Sequence, residues 1–299
     1  MRKSLQLQAE MIEEFGACVF DVTLDCEDGA PVGGEADHAA MVVGLAALAS
    51  DKARVAVRVH AVDHPAFEPD IAVIAGKLAR QLSHIMIPKV ESIENVSRAE
   101  QALLAASAGN VPLHVLIESP LAVRNAFEIA AHPRVQSLSF GLMDFVSSHG
   151  GAIPADGMSS QGQFAHPLVV RAKLEIASAC HAYGKVPSHC VVTEFNDAAA
   201  MTLAARRAAR ELGYTRMWSI HPNQIRSILE AFAPSDAEIE NATKIIAAAA
   251  DVDWTPISFG GKLHDRASYR YFWQVLERAH QTGSVLAPET QIYFQDAPG

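Results

Sequence analysis

Four stretches decide the fold: VAVRV at 55–59, HIMIPK at 84–89, LHVLIE at 113–118 and SLSFGLMD at 137–144. Each is a short, nearly continuous apolar run, and each contains or ends on one ionisable side chain: Arg58, Lys89, Glu118 and Asp144. A fifth run, ACVFDVTLD at 17–25, leads into Glu27 and Asp28. From Asp28 through Arg58, Lys89 and Glu118 to Asp144, successive markers stand 26 to 31 residues apart. That spacing leaves room for one helix and two short loops between runs. The intervening segments 36–50, 67–82, 91–108 and 119–131 repeat apolar residues every three or four positions, the period of a helix with one buried face. Strands apolar on both sides and alternating with helices predict a parallel sheet covered by helices.

The pattern continues through helix 165–183, strand KVPSHCVV at 185–192, helix 196–212, strand TRMWSI at 215–220 and helix 222–232. A first strand at about 3–7 brings the count to eight, and eight βα units predict a closed (β/α)8 barrel over residues 1–232. A doubly wound open sheet is the alternative, but no G-x-G-x-x-G follows the first strand. Beyond it, residues 233–299 read as a helical extension. It comprises two helices separated by DVDWTPISFGGKLHD at 251–265, packed on its own barrel or on a neighbour's.

Composition narrows the partners. The 299 residues are 49% hydrophobic and 19% charged, with a net charge of −10. An acidic surface is repelled by phosphate backbones and anionic lipid, which argues against nucleic acid and against membrane binding. No run approaches the ~20 apolar residues that cross a bilayer. The segment MRKSLQLQAEMIEE lacks the apolar core of a secretory signal. Cys18, Cys26, Cys180 and Cys190 are scattered without a C-x-x-C pair and read as thiols of a reducing compartment, so a cytoplasmic location is expected.

In a (β/α)8 barrel the chemistry gathers where strands end and βα loops begin. That rim is predicted to hold Asp25, Glu27, Asp28, Arg58, Lys89, Glu118 and Asp144: five carboxylates against two cations. Glu118 and Asp144 end adjacent strands ~4.8 Å apart and can share a ligand. Such an excess of carboxylates is costly unless some protonate or a cation binds. All-oxygen ligation selects a hard ion, Mg²⁺ or Mn²⁺, over zinc. The bland reading of each charge is a loop cap or a helix-dipole partner. Lys89 would serve a Schiff-base aldolase, yet neighbouring carboxylates hold an ammonium charged. The thirteen histidines show no zinc spacing; His38, His64, His132 and His280 are expected at the surface, and His221 as a cap. Ser119 has no G-x-S-x-G around it.

The segments FDVTLDCEDGAP, VAVRVH, HIMIPKVES, LIESPLAV, FGLMDF, AYGKVPSH, LGYTRMWSIHPNQI, FAPSDAEIENA and GGKLHD follow one another in an order that resembles the citrate lyase beta-subunit-like proteins, the group of the malyl-CoA and citramalyl-CoA lyases. The resemblance implies a Mg²⁺-dependent barrel that cleaves or forms a carbon–carbon bond between a 2-keto acid and an acyl thioester, assembled as a trimer or hexamer. It places the metal on Glu118 and Asp144 and the keto-acid oxygens on Arg58. Glu27, Asp28 and Lys89 stand around the metal, and Asp265 reaches a neighbouring subunit's site as acid/base. Backbone N–H groups of Gly141, Leu142, Met143 and Asp144 are expected to hold the acid's carboxylate. The carrier is CoA or an acyl-carrier protein.

Three departures bear on the substrate. The family's opening R-S-x-L-F/Y-V-P-G segment, which helps bind the thioester's nucleotide, is here RKSLQLQA without the Pro-Gly turn. VRVH stands for the commoner V-R-V-N, and His264 for an apolar residue. A class II pyruvate aldolase acting on free hydroxy-keto acids is the alternative enzyme. A non-catalytic subunit or scaffold of a lyase complex is the alternative from another class.

Overall fold

The computed structural model describes residues 1–294. The chain opens with helix α1 (Arg2–Phe15), and an alternation then follows: β1 (Val22–Asp25), α2 (Glu35–Ala46), β2 (Val55–Arg58), α3 (Phe67–Leu78), β3 (Leu82–Ile87), α4 (Ile93–Ala105) and β4 (Leu113–Ile117). Two short helices, α5 (Pro120–Arg124) and α6 (Ala126–Ala131), lead to β5 (Val135–Phe140) and α7 (Leu142–Ser147). The series ends with α8 (Pro167–Ala182), β6 (Val186–His189), α9 (Ala198–Glu211), β7 (Arg216–Met217) and α10 (Ile225–Phe232). The seven strands form one parallel sheet in sequence order.

Side-chain alternation sorts the strands into two faces. Val22, Leu24, Val55, Val57, Ile85, Ile87, Leu113, Val115, Ile117, Leu138 and Phe140 pack with helix residues such as Val42, Phe67, Ile74, Leu103 and Ile176 in one core. The residues between them (Ala56, His84, Met86, His114, Leu116, Ser137 and Ser139) are also buried but lie outside that core, on the opposite face. That face is concave. Asp21, just before β1, accepts from Arg216 of β7 at 2.6 Å across 195 positions of sequence, so the first and last strands curl towards each other. Asp21 also pairs with Arg54 at 2.7 Å. Burial alone would raise the Asp21 carboxyl, but the two guanidiniums hold it well below the usual carboxylate range.

The expected strand at 3–7 is a helix, so the sheet has seven strands instead of eight. The alternation Leu5-Gln6-Leu7-Gln8 imitates a strand, but Leu5, Gln8, Met11, Ile12 and Phe15 line one face at a period near 3.6. The segment's residues are strong helix formers, with no β-branched residue before Ile12. Gln8, 1% exposed, donates through Nε2 to the carbonyls of Phe20 (2.7 Å) and Arg54 (3.0 Å), closing the backbone ahead of β1 and β2. The helix expected over 119–131 is broken at Asn125, whose amide donates to Glu91 O at 2.8 Å. His64 and His280 are exposed as expected and His38 is half-buried, but His132 is buried (8% exposed): its ring accepts from Arg134 N at 3.3 Å and faces Glu100.

The chain divides into two compact units. Residues 1–10 and 20–231 make the first; residues 11–19 and those from Phe232 onward make the second. The second unit holds α11 (Asp236–Ala250), the antiparallel hairpin β8 (Ile257–Phe259) and β9 (Lys262–His264), α12 (Arg266–Gln281) and α13 (Pro288–Gln291). Ile239, Ile245, Ile246, Tyr269, Leu276 and Phe294 are among its core residues. Residues 295–299, the end of the expected extension, lie outside the described residues. The hairpin was not anticipated within the Gly- and Asp-rich 251–265. Gly260 and Gly261 turn it with φ of +58° and +75°, the left-handed pair that a two-residue hairpin loop demands.

Candidate active site

The C-terminal ends of β1 to β5 bring the expected rim together. Asp25 and Arg58 end β1 and β2 and stand opposite each other in register. Arg58 gives Nε to Asp25 Oδ1 (2.7 Å) and Nη2 to Asp25 Oδ2 (2.6 Å), a bidentate fork. Its Nη1 reaches Glu27 Oε2 at 2.9 Å and lies 3.6 Å from Asp28 Oδ2. Asp25 in turn accepts from Glu27 N (3.0 Å) and Gly29 N (2.9 Å), which folds the loop after β1 back over the guanidinium. Burial raises the Asp25 carboxyl, but Arg58 and these amides leave it below its ordinary value. Asp25, read in the sequence as one rim acid among several, is the principal anchor of Arg58.

Lys89, two residues past β3, closes the circuit. Its Nζ is bonded to Glu27 and lies 3.6 Å from Asp28. Desolvation pulls the ammonium down, but Glu27, Asp28 and Glu118 hold it above its ordinary value, so it stays charged. Its backbone has φ +54°, the left-handed region, which a lysine seldom adopts. That turn aims the amide of Lys89 at Glu118 Oε1, 2.6 Å away. Strain held at a rim position marks the places where geometry serves a site.

Glu118, directly after β4, is 6% exposed. Its carboxyl is pushed up to about 7, first by burial and then by the charges of Asp144 and Glu27, which outweigh the amide and ammonium of Lys89. Asp144 stands in the first turn of α7, which opens directly after β5. Gly141 between them is required by space: a Cβ there would stand 2.4 Å from Glu118 Oε2 and 2.5 Å from Glu118 Cβ. The backbone of the β5–α7 turn therefore lies directly against the Glu118 side chain.

The charges now sort themselves. Arg58 and Lys89 are engaged by Asp25, Glu27 and Asp28. Among the described residues neither Glu118 nor Asp144 forms an ion pair, and they repel each other. No group of three or more His, Cys, Asp or Glu side chains forms a ready-made metal cage among the described residues. A pair of carboxylates with nothing to balance it fits a hard divalent ion that keeps water or substrate oxygens as its other ligands, as Mg²⁺ does.

One expectation needs correcting. The Gly141 amide cannot hold a ligand, because it donates to Ile117 O at 3.0 Å as the last rung between β4 and β5. The amides of Leu142, Met143 and Asp144 open α7 and have no intrahelical carbonyl to reach. Asp265 belongs to the second unit, where it is exposed and caps α12; its Oδ1 accepts from Ala267 N (2.9 Å) and Ser268 N (3.3 Å). His221 is a cap as expected, accepting from Asn223 N at 3.2 Å, and Ser119 likewise caps α5. Sequence reasoning missed Trp218, whose ring faces Arg58. Its signal was an aromatic residue at the end of a predicted strand.

No helix among the described residues is long and apolar enough to cross a membrane. The profile of the HpcH/HpaI aldolase/citrate lyase family matches residues 5–222. An L-malyl-CoA/beta-methylmalyl-CoA lyase of Rhodobacter capsulatus is 31% identical over 206 residues; the chain spans 64% of that relative's length, and the match covers 64% of this chain. A citrate lyase subunit beta-like protein of Deinococcus radiodurans is 32% identical over 254 residues, 82% of this chain and 84% of that one. Among solved structures, a citrate lyase from Burkholderia xenovorans LB400 aligns with a TM-score of 0.81 and 48% identity over 98% of this chain and 92% of its own. The citrate lyase beta subunit of Mycobacterium tuberculosis, complexed with oxaloacetate and magnesium, aligns with a TM-score of 0.59 and 25% identity over 76% and 94% of the two chains. On a profile match well over half its length and a relative 32% identical over most of both chains, the chain belongs to the HpcH/HpaI aldolase/citrate lyase family.

Proposed function

We propose that the protein is a Mg²⁺-dependent carbon–carbon lyase that cleaves, or forms, a 3-hydroxyacyl thioester such as a malyl-, citramalyl- or citryl-thioester, yielding a keto acid and an acyl thioester. One observation carries this reading: Glu118 and Asp144 are the rim carboxylates without an ion pair among the described residues, and burial with the charges of Asp144 and Glu27 carries the Glu118 carboxyl to about 7. Mn²⁺ would fit the same oxygens. When bound, the ion would act as a Lewis acid on the oxygen that becomes the keto group.

The chain's own residues do the rest. Arg58 has spent three of its five N–H donors on Asp25 and Glu27, and the remaining two can grip the acid's oxygens. The amides of Leu142, Met143 and Asp144 can face its carboxylate, and Lys89 with Glu27 and Asp28 keeps Glu118 and Arg58 in place. Asp265 moves the proton at the acyl carbon, supplied by residues 233–299 to the site of a neighbouring subunit in a trimer or hexamer. In this reading the curled seven-stranded sheet works as a TIM-barrel-like scaffold in the cytoplasm. The thioester carrier is CoA or an acyl-carrier protein.

A second reading, a class II aldolase acting on free hydroxy-keto acids with the same metal, is favoured by one observation. The segment that the resemblance assigns to nucleotide binding is the helix α1. The test is a coupled assay of malyl-CoA and citramalyl-CoA against free 4-hydroxy-2-keto acids, with Mg²⁺ and with EDTA. Metal-dependent release of a keto acid from a thioester is expected. Turnover of free acids alone would select the aldolase, and turnover unchanged by EDTA would refute both.

A further inference from the structure

The S-I-H-P-N-Q-I turn (219–225) has no part in the chemistry above, yet it is firmly tied. Gln224 is 2% exposed; its Nε2 donates to Val192 O at 2.7 Å, and its Oε1 accepts from Ser219 Oγ and Ile220 N, both at 3.1 Å. The His221 ring stacks on Phe195 with centroids 5.2 Å apart. These contacts fix the chain as it leaves β7, where Trp218 N adds one more rung by donating to His189 O at 3.0 Å. Arg216 points to the concave face, where it meets Asp21, so two residues later Trp218 points there too. The Arg58 guanidinium lies over its ring, with Cζ 5.3 Å from the ring centroid.

In-plane ion pairs and face stacking restrain different motions. Asp25 and Glu27 hold the guanidinium by its edges. Those bonds resist a tilt of the plane less than they resist sliding within it, and Asp28 Oδ2, 3.6 Å from Nη1, stands ready to take an unused donor. The Trp218 ring 5.3 Å away limits that freedom, and the indole is the strongest of the aromatic partners for a cation.

We infer that Trp218, fixed by the Gln224 turn, is a positioning residue that sets the plane of Arg58 so that its two unused N–H groups meet the carboxylate of a 2-oxo acid. The inference rests on Arg58 binding the acid, as proposed above. Two measurements on the full chain test it. Calorimetric titration of oxaloacetate in Mg²⁺ should show Trp218→Leu binding roughly 3- to 30-fold more weakly than wild type, with Trp218→Phe within about threefold. Urea unfolding of Trp218→Leu, Arg58→Met and the double variant should be non-additive, the coupling amounting to a factor of about 2 to 30 in the unfolding constant. Additive unfolding overturns the inference, as does an unchanged oxaloacetate affinity in Trp218→Leu. A wild type that binds no 2-oxo acid overturns the proposed function instead, and the unfolding cycle still decides whether Trp218 holds Arg58.

Discussion

Replacing Glu118 with glutamine should make the metal-free protein more stable while removing its chemistry. In the unfolded chain a glutamate titrates near 4.3, whereas in the folded protein burial and the charges of Asp144 and Glu27 carry Glu118 to about 7. Below pH 4 the carboxyl is protonated in both states and adds nothing. As pH rises towards 7 the unfolded chain ionises and the folded one resists, so the folded state loses stability, by about 4 kcal/mol once both are ionised. The glutamine of Glu118→Gln would not titrate, and its Oε1 can still accept from Lys89 N, which Glu118 now does at 2.6 Å. Urea unfolding in EDTA should therefore show the advantage of Glu118→Gln growing by about 3 kcal/mol between pH 4.5 and pH 8. Mg²⁺ at a hundred times its dissociation constant should stabilise wild type at pH 8 by about 2.7 kcal/mol and leave the variant unmoved. If the difference between the two proteins stays the same at both pH values, Glu118 is not held against its ionisation and the electrostatic account is wrong.

Gly141→Ala would drive a Cβ to 2.4 Å from Glu118 Oε2, so Mg²⁺ binding should be lost in calorimetry, with overpacking costing about 1–3 kcal/mol in urea unfolding. Asp265→Asn preserves the α12 cap, and unfolding should barely change, but turnover should fall by about 10²–10⁴-fold with Mg²⁺ affinity intact. Asp265→Ala should cost about 1 kcal/mol in addition, since nothing then accepts from Ala267 N and Ser268 N. Lys89→Gly keeps a backbone that tolerates φ +54° and the amide bond to Glu118 while losing the ammonium. It should therefore retain Mg²⁺ affinity better than Glu118→Gln. Wild type treated with pyruvate and borohydride should show no adduct by mass spectrometry, because Glu27 keeps Lys89 charged.

Much of this architecture was legible because β1 to β5 each advertise themselves twice, by a run of apolar residues and by a charge at or just beyond its end. Glu118 and Asp144 could be placed after neighbouring strands from spacing alone, and β4 and β5 do pair, although the run expected to reach Asp144 ends at Phe140 and Asp144 stands in the first turn of α7. What escaped depends on partners distant in sequence. Residues 3–7 satisfy a strand pattern and a helix pattern at once, and only the contacts of Gln8 with Phe20 and Arg54 show which one closes the backbone. The tie between Asp25 and Arg58 spans 33 positions, and the cation–π contact of Trp218 with Arg58 spans 160. The amide of Gly141 was expected to face a ligand; the last rung of the β4–β5 ladder takes it first. The Gly260-Gly261 turn could have been found from the two glycines between short β-prone stretches.

A crystal structure of the protein with Mg²⁺ and oxaloacetate tests the account most directly. One ion should be bound by a carboxylate oxygen from each of Glu118 and Asp144, with the oxoacid completing its shell and the free edge of Arg58 on the acid. An ion elsewhere, or an oxoacid bound while those two carboxylates ligate nothing, would contradict it.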